Sequence, residues 1–315
     1  MKVLVTVPFT EKQKELLKST AGDAELCFMP ANKVTEEMLA EEEIIMGNVS
    51  SEQAKRAKNL KWLQLNSAGA DVYCAPGVLK EETVLTNASG AYDISVSESM
   101  VMGTFAMLKK AYAYYDNQKQ GLWKDEGMVG SAYGACIVIL GLGNIGLSYA
   151  KKMKAMGSYI IGVKRHETEA PEGVDEISTI DKLEECLRRA DVVAAVLPGT
   201  PETKYLMGKE QFEVMKKTAY FLNVGRGNSV DEEALYQALE SGEIAGAMLD
   251  VTEVEPLPAG SKLWNAKNLF ITPHVAGGFH IPVTLDKIAE ICAENLKAYL
   301  AGGKLKNIVD KSLGY

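Results

Sequence analysis

The sequence predicts an α/β protein built from two doubly wound parallel-sheet domains. The chain has 315 residues, which exceeds the usual size of a single hydrophobic core. Short apolar runs alternate with charged, helix-compatible stretches along most of it, as in parallel sheets that are covered by helices on both faces. One apolar run leads directly into a glycine-rich turn, a pattern typical of nucleotide-binding α/β folds.

The first block of alternating elements occupies the amino-terminal part of the chain. Thr10 and Gln13 have the spacing of a capping box, which predicts where its first helix begins. Segment 95–120 contains no proline and is predicted to be one helix that leads the chain into the second block. The predicted strands are 3–7, 26–29, 44–46 and 62–65, and the predicted helices include 11–18 and 52–58.

The second block begins with the apolar run 136–140 and a G-x-G-x-x-G motif, followed by a helix predicted at 145–156. This strand, turn and helix context predicts a Rossmann dinucleotide-binding unit. The first glycine permits a tight turn, the second lets backbone approach a pyrophosphate, and the third lets the helix pack closely on the strand. The helix amino terminus offers N–H groups and a positive dipole end to phosphates. The predicted phosphate-binding residues are Gly141, Gly143, Asn144, Ile145 and Gly146.

The end of the next predicted strand, 159–163, decides which dinucleotide is expected. In NAD-binding units an acidic residue about 20 residues beyond the glycines holds the ribose 2′-hydroxyl. This chain has Lys164, Arg165 and His166 there instead, and two cations suit a 2′-phosphate through charge-assisted hydrogen bonds. The sequence therefore predicts a preference for NADP(H), with NAD(H) possible. The alternative interpretation is a solvated basic turn.

Three side chains of different chemistry follow the last three predicted strands. Because ligands bind outside the carboxyl ends of parallel strands, Arg226, Glu255 and His274 should border one crevice, together with the nicotinamide. These are the groups needed to bind, orient and protonate a 2-oxo acid. Taken singly, each also has a structural explanation, as a surface arginine, a loop carboxylate or a strand-end cap. The strands concerned are 220–224, 245–251 and 269–272, preceded by 192–197.

Taken together and in this order, the motifs resemble those of the D-isomer-specific 2-hydroxyacid dehydrogenases. The resemblance implies a Rossmann nucleotide-binding domain at 99–284 and a flavodoxin-like substrate domain at 1–98 with 285–315. An amphipathic helix at 285–300 would complete the substrate domain. The segments that carry the resemblance are 66–71, 97–98, 141–146, 197–203, 223–231, 249–256 and 272–277.

The resemblance also implies roles for individual residues. Arg226 would bind the substrate carboxylate and 2-oxo group, and His274 would donate a proton to the carbonyl oxygen. Glu255 would orient that imidazole and favour its charged form. Domain closure would exclude water. The backbone at Ser67, Ala68 and Gly69 would complete the carboxylate site, and further cofactor contacts are implied at Pro198, Thr203, Val224 and Asp250.

Composition limits the partners and the location that are expected. The formal net charge of -8 argues against a nucleic-acid surface or an anionic-membrane surface. The five cysteines form no C-x-x-C pair, and no apolar run has the length of a signal peptide or membrane span. Free thiols and a cytoplasmic location are therefore expected. No metal site is predicted, and the resemblance favours a homodimer.

The predicted function is hydride transfer between NADP(H) and a small 2-oxo acid or D-2-hydroxy acid, as in NADPH-dependent glyoxylate and hydroxypyruvate reductases. Ser99 stands where many relatives carry a larger residue, so substrate contacts can differ. One alternative is a nucleotide-sensing, corepressor-like binding protein, against which the acidity and the lack of long extensions argue. Another is a related dehydrogenase that acts on a different donor, such as formate or phosphite. The expected His–Glu pair argues against formate as the donor, and phosphite is excluded less firmly.

Overall fold

The computed structural model describes residues 1–314, which form two compact units. The first unit consists of Met1–Tyr92 together with the chain from Phe279 onward, and the second of Asp93–Gly278. The limits predicted from the sequence, 98/99 and 284/285, fall inside two helices, Asp93–Leu108 and Pro282–Leu300. The observed divisions leave both helices whole, because a helix packs with one core along its length.

The first unit contains a five-stranded parallel sheet of order β2-β1-β3-β4-β5. This is the flavodoxin-like order, so the prediction for this unit is confirmed. The fifth strand was not predicted. The strands are β1 (Lys2–Val5), β2 (Glu25–Phe28), β3 (Ile44–Met46), β4 (Trp62–Gln64) and β5 (Val84–Thr86), and the helices among them are α1 (Glu11–Thr20), α2 (Glu36–Glu41), α3 (Ser51–Arg56) and α4 (Asp71–Cys74).

The central strands of this sheet are buried on both faces, as their largely apolar sequences require. All three residues of β3 and all three of β4 are fully buried. Capping boxes begin two of the covering helices, from Thr10 with Gln13 at α1 and from Ser50 with Gln53 at α3. The predicted capping box at Thr10 is therefore confirmed.

The second unit contains a seven-stranded parallel sheet of order β12-β11-β10-β9-β6-β7-β8. The chain reverses its direction across the sheet between β6 and β9, which is the switch point where Rossmann folds bind dinucleotides. The Rossmann prediction is thus confirmed, although β8 was not predicted. The strands are β6 (Cys136–Leu140), β7 (Tyr159–Lys164), β8 (Glu176–Thr179), β9 (Val192–Ala195), β10 (Tyr220–Asn223), β11 (Gly246–Leu249) and β12 (Leu269–Ile271), and the helices are α5 (Asp93–Leu108), α6 (Ala111–Lys119), α7 (Asn144–Ala155), α8 (Leu183–Arg189), α9 (Lys209–Glu213) and α10 (Glu232–Ser241).

The prediction of a single helix over 95–120 is wrong. Two helices, α5 and α6, meet at Lys110, whose backbone is left-handed with φ of 53°. The ammonium groups of Lys109 and Lys110 donate to the carbonyls of Gly130 and Glu126, at 2.8 and 2.5 Å. These contacts with a distant segment hold the break, and no proline or local glycine marks it in the sequence.

The last helix, α11 (Pro282–Leu300), packs on the first sheet, as predicted. Its Tyr299 ring stacks on Trp62 with centroids 5.1 Å apart. Its buried Asn295 donates to the side-chain oxygen of Gln64 at 2.8 Å. Among the described residues, no helix combines the length and the apolar character that crossing a membrane would require.

Candidate active site

The predicted site residues of the second unit all follow strands at one edge of the seven-stranded sheet. Because all its strands are parallel, their carboxyl ends meet at this edge, and the segments that follow them lie side by side in the strand order. We call this set of segments the carboxyl edge. In order from β12 to β7, they are residues 272–276, 250–256, 224–227, 197–203, 141–146 and 164–166.

Glycines on both sides of Arg226 allow three of these segments to approach closely. A Cβ atom on Gly225 would lie 2.6 Å from the backbone nitrogen and oxygen of Leu197. A Cβ atom on Gly227 would lie 2.0 Å from the carbonyl oxygen of Thr252. Only glycine fits at such distances, so the Gly-x-Gly pattern fixes Arg226 between the segments that follow β9 and β11.

The backbone and the side chain of Arg226 are both engaged locally. Its carbonyl accepts hydrogen bonds from the Asn223 amide at 2.9 Å and the Ser229 hydroxyl at 2.7 Å. Its Nη1 donates to the Gly225 carbonyl at 2.9 Å. A guanidinium has five N–H donors in a planar fork, so a side chain anchored in this way is suited to a carboxylate.

Glu255 and His274 are in direct contact. The carboxylate Oε2 of Glu255 lies 2.7 Å from Nδ1 of His274. The other carboxylate oxygen, Oε1, accepts the N–H of Thr252 at 3.1 Å. With Nδ1 engaged by the carboxylate, Nε2 is the ring nitrogen that can exchange a proton with a ligand, and half of the His274 side chain is exposed.

His274 has a left-handed backbone with φ of 51°, which is uncommon for a residue with a side chain. Its N–H donates to the carbonyl of Asp250 at 2.7 Å. The buried carboxylate of Asp250 also accepts hydrogen bonds on both sides of the histidine: from the Thr272 hydroxyl at 2.6 Å and from the N–H groups of Val275 and Ala276 at 3.0 and 3.2 Å. Asp250 therefore fixes the segment that carries His274, a role the sequence did not predict, while its contact with the cofactor stays a prediction.

The glycine motif has the geometry that a phosphate-binding turn needs. Gly141 is left-handed with φ of +96°, and a Cβ atom there would lie 2.7 Å from the carbonyl oxygen of Val196. A Cβ atom on Gly146 would lie 2.2 Å from the carbonyl oxygen of Gly141. Apart from Gly143 itself and its two neighbours in the chain, no described residue has an atom within 4 Å of the Cβ position of Gly143, which directly precedes α7 and supplies no side-chain cap. That open position leaves room for a pyrophosphate at the helix amino terminus.

The segment after β9 forms a compact turn that contains two of the predicted cofactor contacts. The Thr203 hydroxyl donates to the Pro198 carbonyl at 2.7 Å and accepts the N–H of Thr200 at 2.9 Å. On the neighbouring strand end, the N–H of Val224 donates to the Ala195 carbonyl at 3.1 Å. Pro198, Thr203 and Val224 are thus fixed in adjoining segments of the carboxyl edge.

The segment after β7 is basic and partly exposed. Lys164 is half-buried, with its ammonium 3.2 Å from the Thr168 hydroxyl, and Arg165 and His166 are exposed. Hydrogen bonds from its own backbone N–H and from Thr200 hold the pKa of Glu202 below its usual value, and the charge of Arg165 acts in the same direction. Arg165 therefore lies near the turn that follows β9.

In the first unit, the loop 66–69 presents backbone N–H groups. In the described part of the chain, no acceptor takes up the N–H of Ala68 or Gly69. The Asn48 amide supports the loop, accepting the N–H of Asn66 at 3.0 Å and donating to the Ser67 hydroxyl at 3.0 Å. Each carbonyl of the loop accepts a hydrogen bond. The carbonyl of Asn66 accepts one from the Tyr92 hydroxyl, and that of Ser67 accepts one from the Ala88 N–H at 2.9 Å. The carbonyl of Ala68 accepts one from the Asn87 amide at 2.8 Å, and that of Gly69 accepts one from the Ser67 hydroxyl at 2.7 Å.

This arrangement turns the carbonyl oxygens of the loop away from a ligand and leaves N–H donors for an anion. Burial raises the pKa of Tyr92 to about 12, so its phenol stays a neutral donor. Sequence reasoning missed Asn48. The available signal was its position, two residues after the carboxyl end of the central strand β3.

Comparison with known proteins gives the family. A family profile described as "D-isomer specific 2-hydroxyacid dehydrogenase, NAD binding domain" matches residues 101–276, which is more than half of the chain. The chain belongs to this family. Its members are NAD(P)-dependent oxidoreductases, and the resemblance found in the sequence is confirmed.

Relatives in the 2-hydroxyacid dehydrogenase family extend the likeness over most of the chain. A glyoxylate reductase of Korarchaeum cryptofilum is 34% identical over 260 residues, covering 81% of this chain and 74% of that protein. A D-3-phosphoglycerate dehydrogenase of Methanocaldococcus jannaschii is 30% identical over 98% of this chain, which spans only 59% of that protein. A D-isomer specific 2-hydroxyacid dehydrogenase of Xanthobacter autotrophicus, solved in complex with NADPH and MES, has a TM-score of 0.84 and 29% identity, covering 100% of this chain and 99% of that one.

Proposed function

We propose that this protein reduces a small 2-oxo acid to the D-2-hydroxy acid with NADPH, with Arg226, Glu255 and His274 as the catalytic residues. The observation that carries the proposal is the 2.7 Å contact between Glu255 and His274 at the carboxyl edge, one strand from Arg226. A carboxylate on one ring nitrogen and a half-exposed second nitrogen are the requirements of a general acid that works near neutral pH.

The bound cofactor supplies the hydride. Arg226 binds the substrate carboxylate, and its planar fork also polarises the 2-oxo group. His274 donates the proton on Nε2 to the carbonyl oxygen, and it takes a proton back when the hydroxy acid is oxidised. Glu255 stabilises the imidazolium form and holds the ring in place by its hydrogen bond to Nδ1, while the N–H of Thr252 orients the carboxylate.

The residues that would hold the dinucleotide fit NADPH. Gly141, Gly143 and Gly146, with the N–H groups that open α7 at Asn144 and Ile145, would hold the pyrophosphate. Lys164, Arg165 and His166 would hold a 2′-phosphate, and no acidic residue stands among them to bind a 2′-hydroxyl. The proposal also includes contacts of the dinucleotide with Pro198, Thr203, Val224 and Asp250. Titration in which NADH binds more tightly than NADPH would contradict this preference.

We also propose that the N–H groups of Ala68 and Gly69 bind the substrate carboxylate, supported by Ser67. Their carbonyls are engaged elsewhere, so this loop offers donors to an anion. We propose small substrates such as glyoxylate and hydroxypyruvate, because the Korarchaeum cryptofilum relative is a glyoxylate reductase.

We further propose that the protein is a cytoplasmic homodimer. The segment 121–133, here called the apolar arm, is tied to α6 by polar contacts yet presents almost fully exposed side chains of Trp123, Met128 and Tyr133. Exposed apolar patches of this kind mark protein interfaces, and most soluble oligomers are symmetric dimers. The five free cysteines support a reducing compartment.

One experiment tests the proposed function. The protein is mixed with NADPH and, in separate reactions, with glyoxylate, hydroxypyruvate, pyruvate, phenylpyruvate or a branched 2-oxo acid, and the loss of NADPH absorbance is followed. We expect turnover with at least one of these acids, and formation of the D-hydroxy acid from each acid whose product is chiral at C2. Tight NADPH binding without turnover would instead favour a nucleotide-sensing protein, and reduction of NADP by phosphite would favour the phosphite-type alternative.

A further inference from the structure

Glu232, the first residue of α10, directs its carboxylate away from its own helix. The helix is capped by Asp231, whose carboxylate accepts the N–H groups of Glu233 and Ala234 at 3.0 and 3.1 Å. The Oε1 of Glu232 instead accepts the N–H of Glu253 at 2.6 Å. Since the cap is already supplied, this contact serves the segment that follows β11.

The segment reached by Glu232 is the 252–255 loop, which ends in the proposed partner of His274. The Glu253 carboxylate accepts a hydrogen bond from the Tyr205 hydroxyl, so this residue is held by both its backbone and its side chain. Within the loop, the Thr252 N–H donates to Glu255 Oε1 at 3.1 Å and its hydroxyl donates to the Val254 carbonyl at 3.0 Å. The loop is therefore held at Glu253 by residues outside the loop, and at Thr252 by hydrogen bonds within it.

Burial of the Glu232 carboxylate has a cost that its contact with the loop offsets only in part, since the pKa of Glu232 stays above its usual value. Burial raises the pKa of Glu232, the N–H of Glu253 lowers it, and the neighbouring carboxylate of Glu253 raises it again. A half-buried carboxylate beside a second carboxylate is unfavourable without a strong donor. The backbone N–H of Glu253 is such a donor, and charge-assisted hydrogen bonds of this kind are stronger than neutral ones.

We propose that Glu232 is a positioning residue that sets the contact between Glu255 and His274 by holding the backbone of the 252–255 loop. The inference rests on the proposed function. Glu253 lies two residues before Glu255, so a shift of its backbone moves the carboxylate that contacts Nδ1 of the imidazole. A contact of 2.7 Å loses strength quickly when it lengthens.

The test compares variants at Glu232 with a matched control on the same helix turn. The control is Glu233→Ala, which removes the same charge from a carboxylate that pairs with Lys262 and not with the loop. We expect Glu232→Ala to lower kcat for 2-oxo acid reduction by about tenfold, which is only part of the roughly 10²- to 10⁴-fold that general acid catalysis contributes, and to move the alkaline limb of the pH profile to lower pH. Glu232→Gln keeps an acceptor oxygen and should restore most of the rate, and Glu233→Ala should match the unchanged protein.

A double-substitution cycle separates positioning from a general structural role. In a Glu255→Gln background, Glu232→Ala should change kcat less than about twofold, because the contact it supports is already weakened. Equal losses in both backgrounds, or an unmoved pH profile, would overturn the proposal. If Glu232→Ala does not fold, Glu232→Asp takes its place, because aspartate keeps the charge but brings the carboxylate less far toward the loop. Its kcat and its pH profile are measured in the same way. If the unchanged protein reduces no 2-oxo acid, the proposed function itself is wrong. If Glu255→Gln alters the pH profile of kcat and Glu232→Ala does not, the proposed function stands and only the role of Glu232 is wrong.

Discussion

At the residue scale, Arg226 is the group whose loss should affect substrate binding most. Replacement by alanine removes the charge and the fork, so the KM for the 2-oxo acid should rise and turnover should slow. Arg226→Lys keeps the charge but not the planar geometry, and we expect it to recover only part of the loss. Steady-state kinetics at saturating NADPH measure both effects. An unchanged KM in the alanine variant would remove Arg226 from the proposed mechanism.

Glu255 should control the pH dependence of the reaction. Its carboxylate favours the protonated imidazole of His274, and protonated imidazole is the form needed to reduce a 2-oxo acid. In Glu255→Gln the neutral amide stabilises that form less than a carboxylate does, so the alkaline limb of the kcat profile should move to lower pH. The measurement is the pH dependence of kcat for the two proteins at saturating NADPH. A pH profile that stays in place would contradict the pairing.

At the element scale, the turn from β6 into α7 depends on a glycine at position 146. In Gly146→Ala the new methyl group would meet the carbonyl oxygen of Gly141 at 2.2 Å, and overpacking of this kind costs about 1–3 kcal/mol. We expect a lower free energy of unfolding and weaker NADPH binding. Gly260→Ala is the control, because no described residue other than its two chain neighbours has an atom within 4 Å of that Cβ position. Equal stability of the two variants would contradict the argument.

Elements with a strong local signal could be predicted from the sequence, and those held by distant contacts could not. The capping box at Thr10 and the strand before the glycine motif are encoded locally. Strand β5 has only two apolar residues, Val84 and Leu85, before Thr86, and β8 contains Glu176, Ser178 and Thr179, so neither shows a clear apolar run. The break at Lys110 depends on carbonyls of a later segment.

The same division holds for the candidate site. Parallel-strand order was sufficient to predict that Arg226, Glu255 and His274 would share one edge of the sheet. The supports of that edge come from contacts that the sequence does not show, such as the hydrogen bonds by which the buried Asp250 fixes the histidine segment. Contacts of this kind are tertiary, and they become visible only once the chain is folded.

At the scale of the whole molecule, the apolar arm should hold the dimer together. Met128 is 92% exposed, so replacing it by aspartate should leave the folded chain intact while placing a charge in the proposed interface. We expect Met128→Asp to shift the protein from dimer to monomer in sedimentation velocity. Met156→Asp, at an exposed methionine outside the arm, should remain dimeric. A dimer unaffected by Met128→Asp would exclude the arm as the main contact.

The central claim is that His274, paired with Glu255, protonates a 2-oxo acid, and replacement of the imidazole tests it most directly. For His274→Asn, kcat for reduction of the best 2-oxo acid and the Kd for NADPH are measured side by side with the unchanged protein. We predict a fall in kcat of about 10²- to 10⁴-fold with the NADPH affinity retained. Turnover within a few-fold of the unchanged protein, at equal cofactor affinity, would contradict the account.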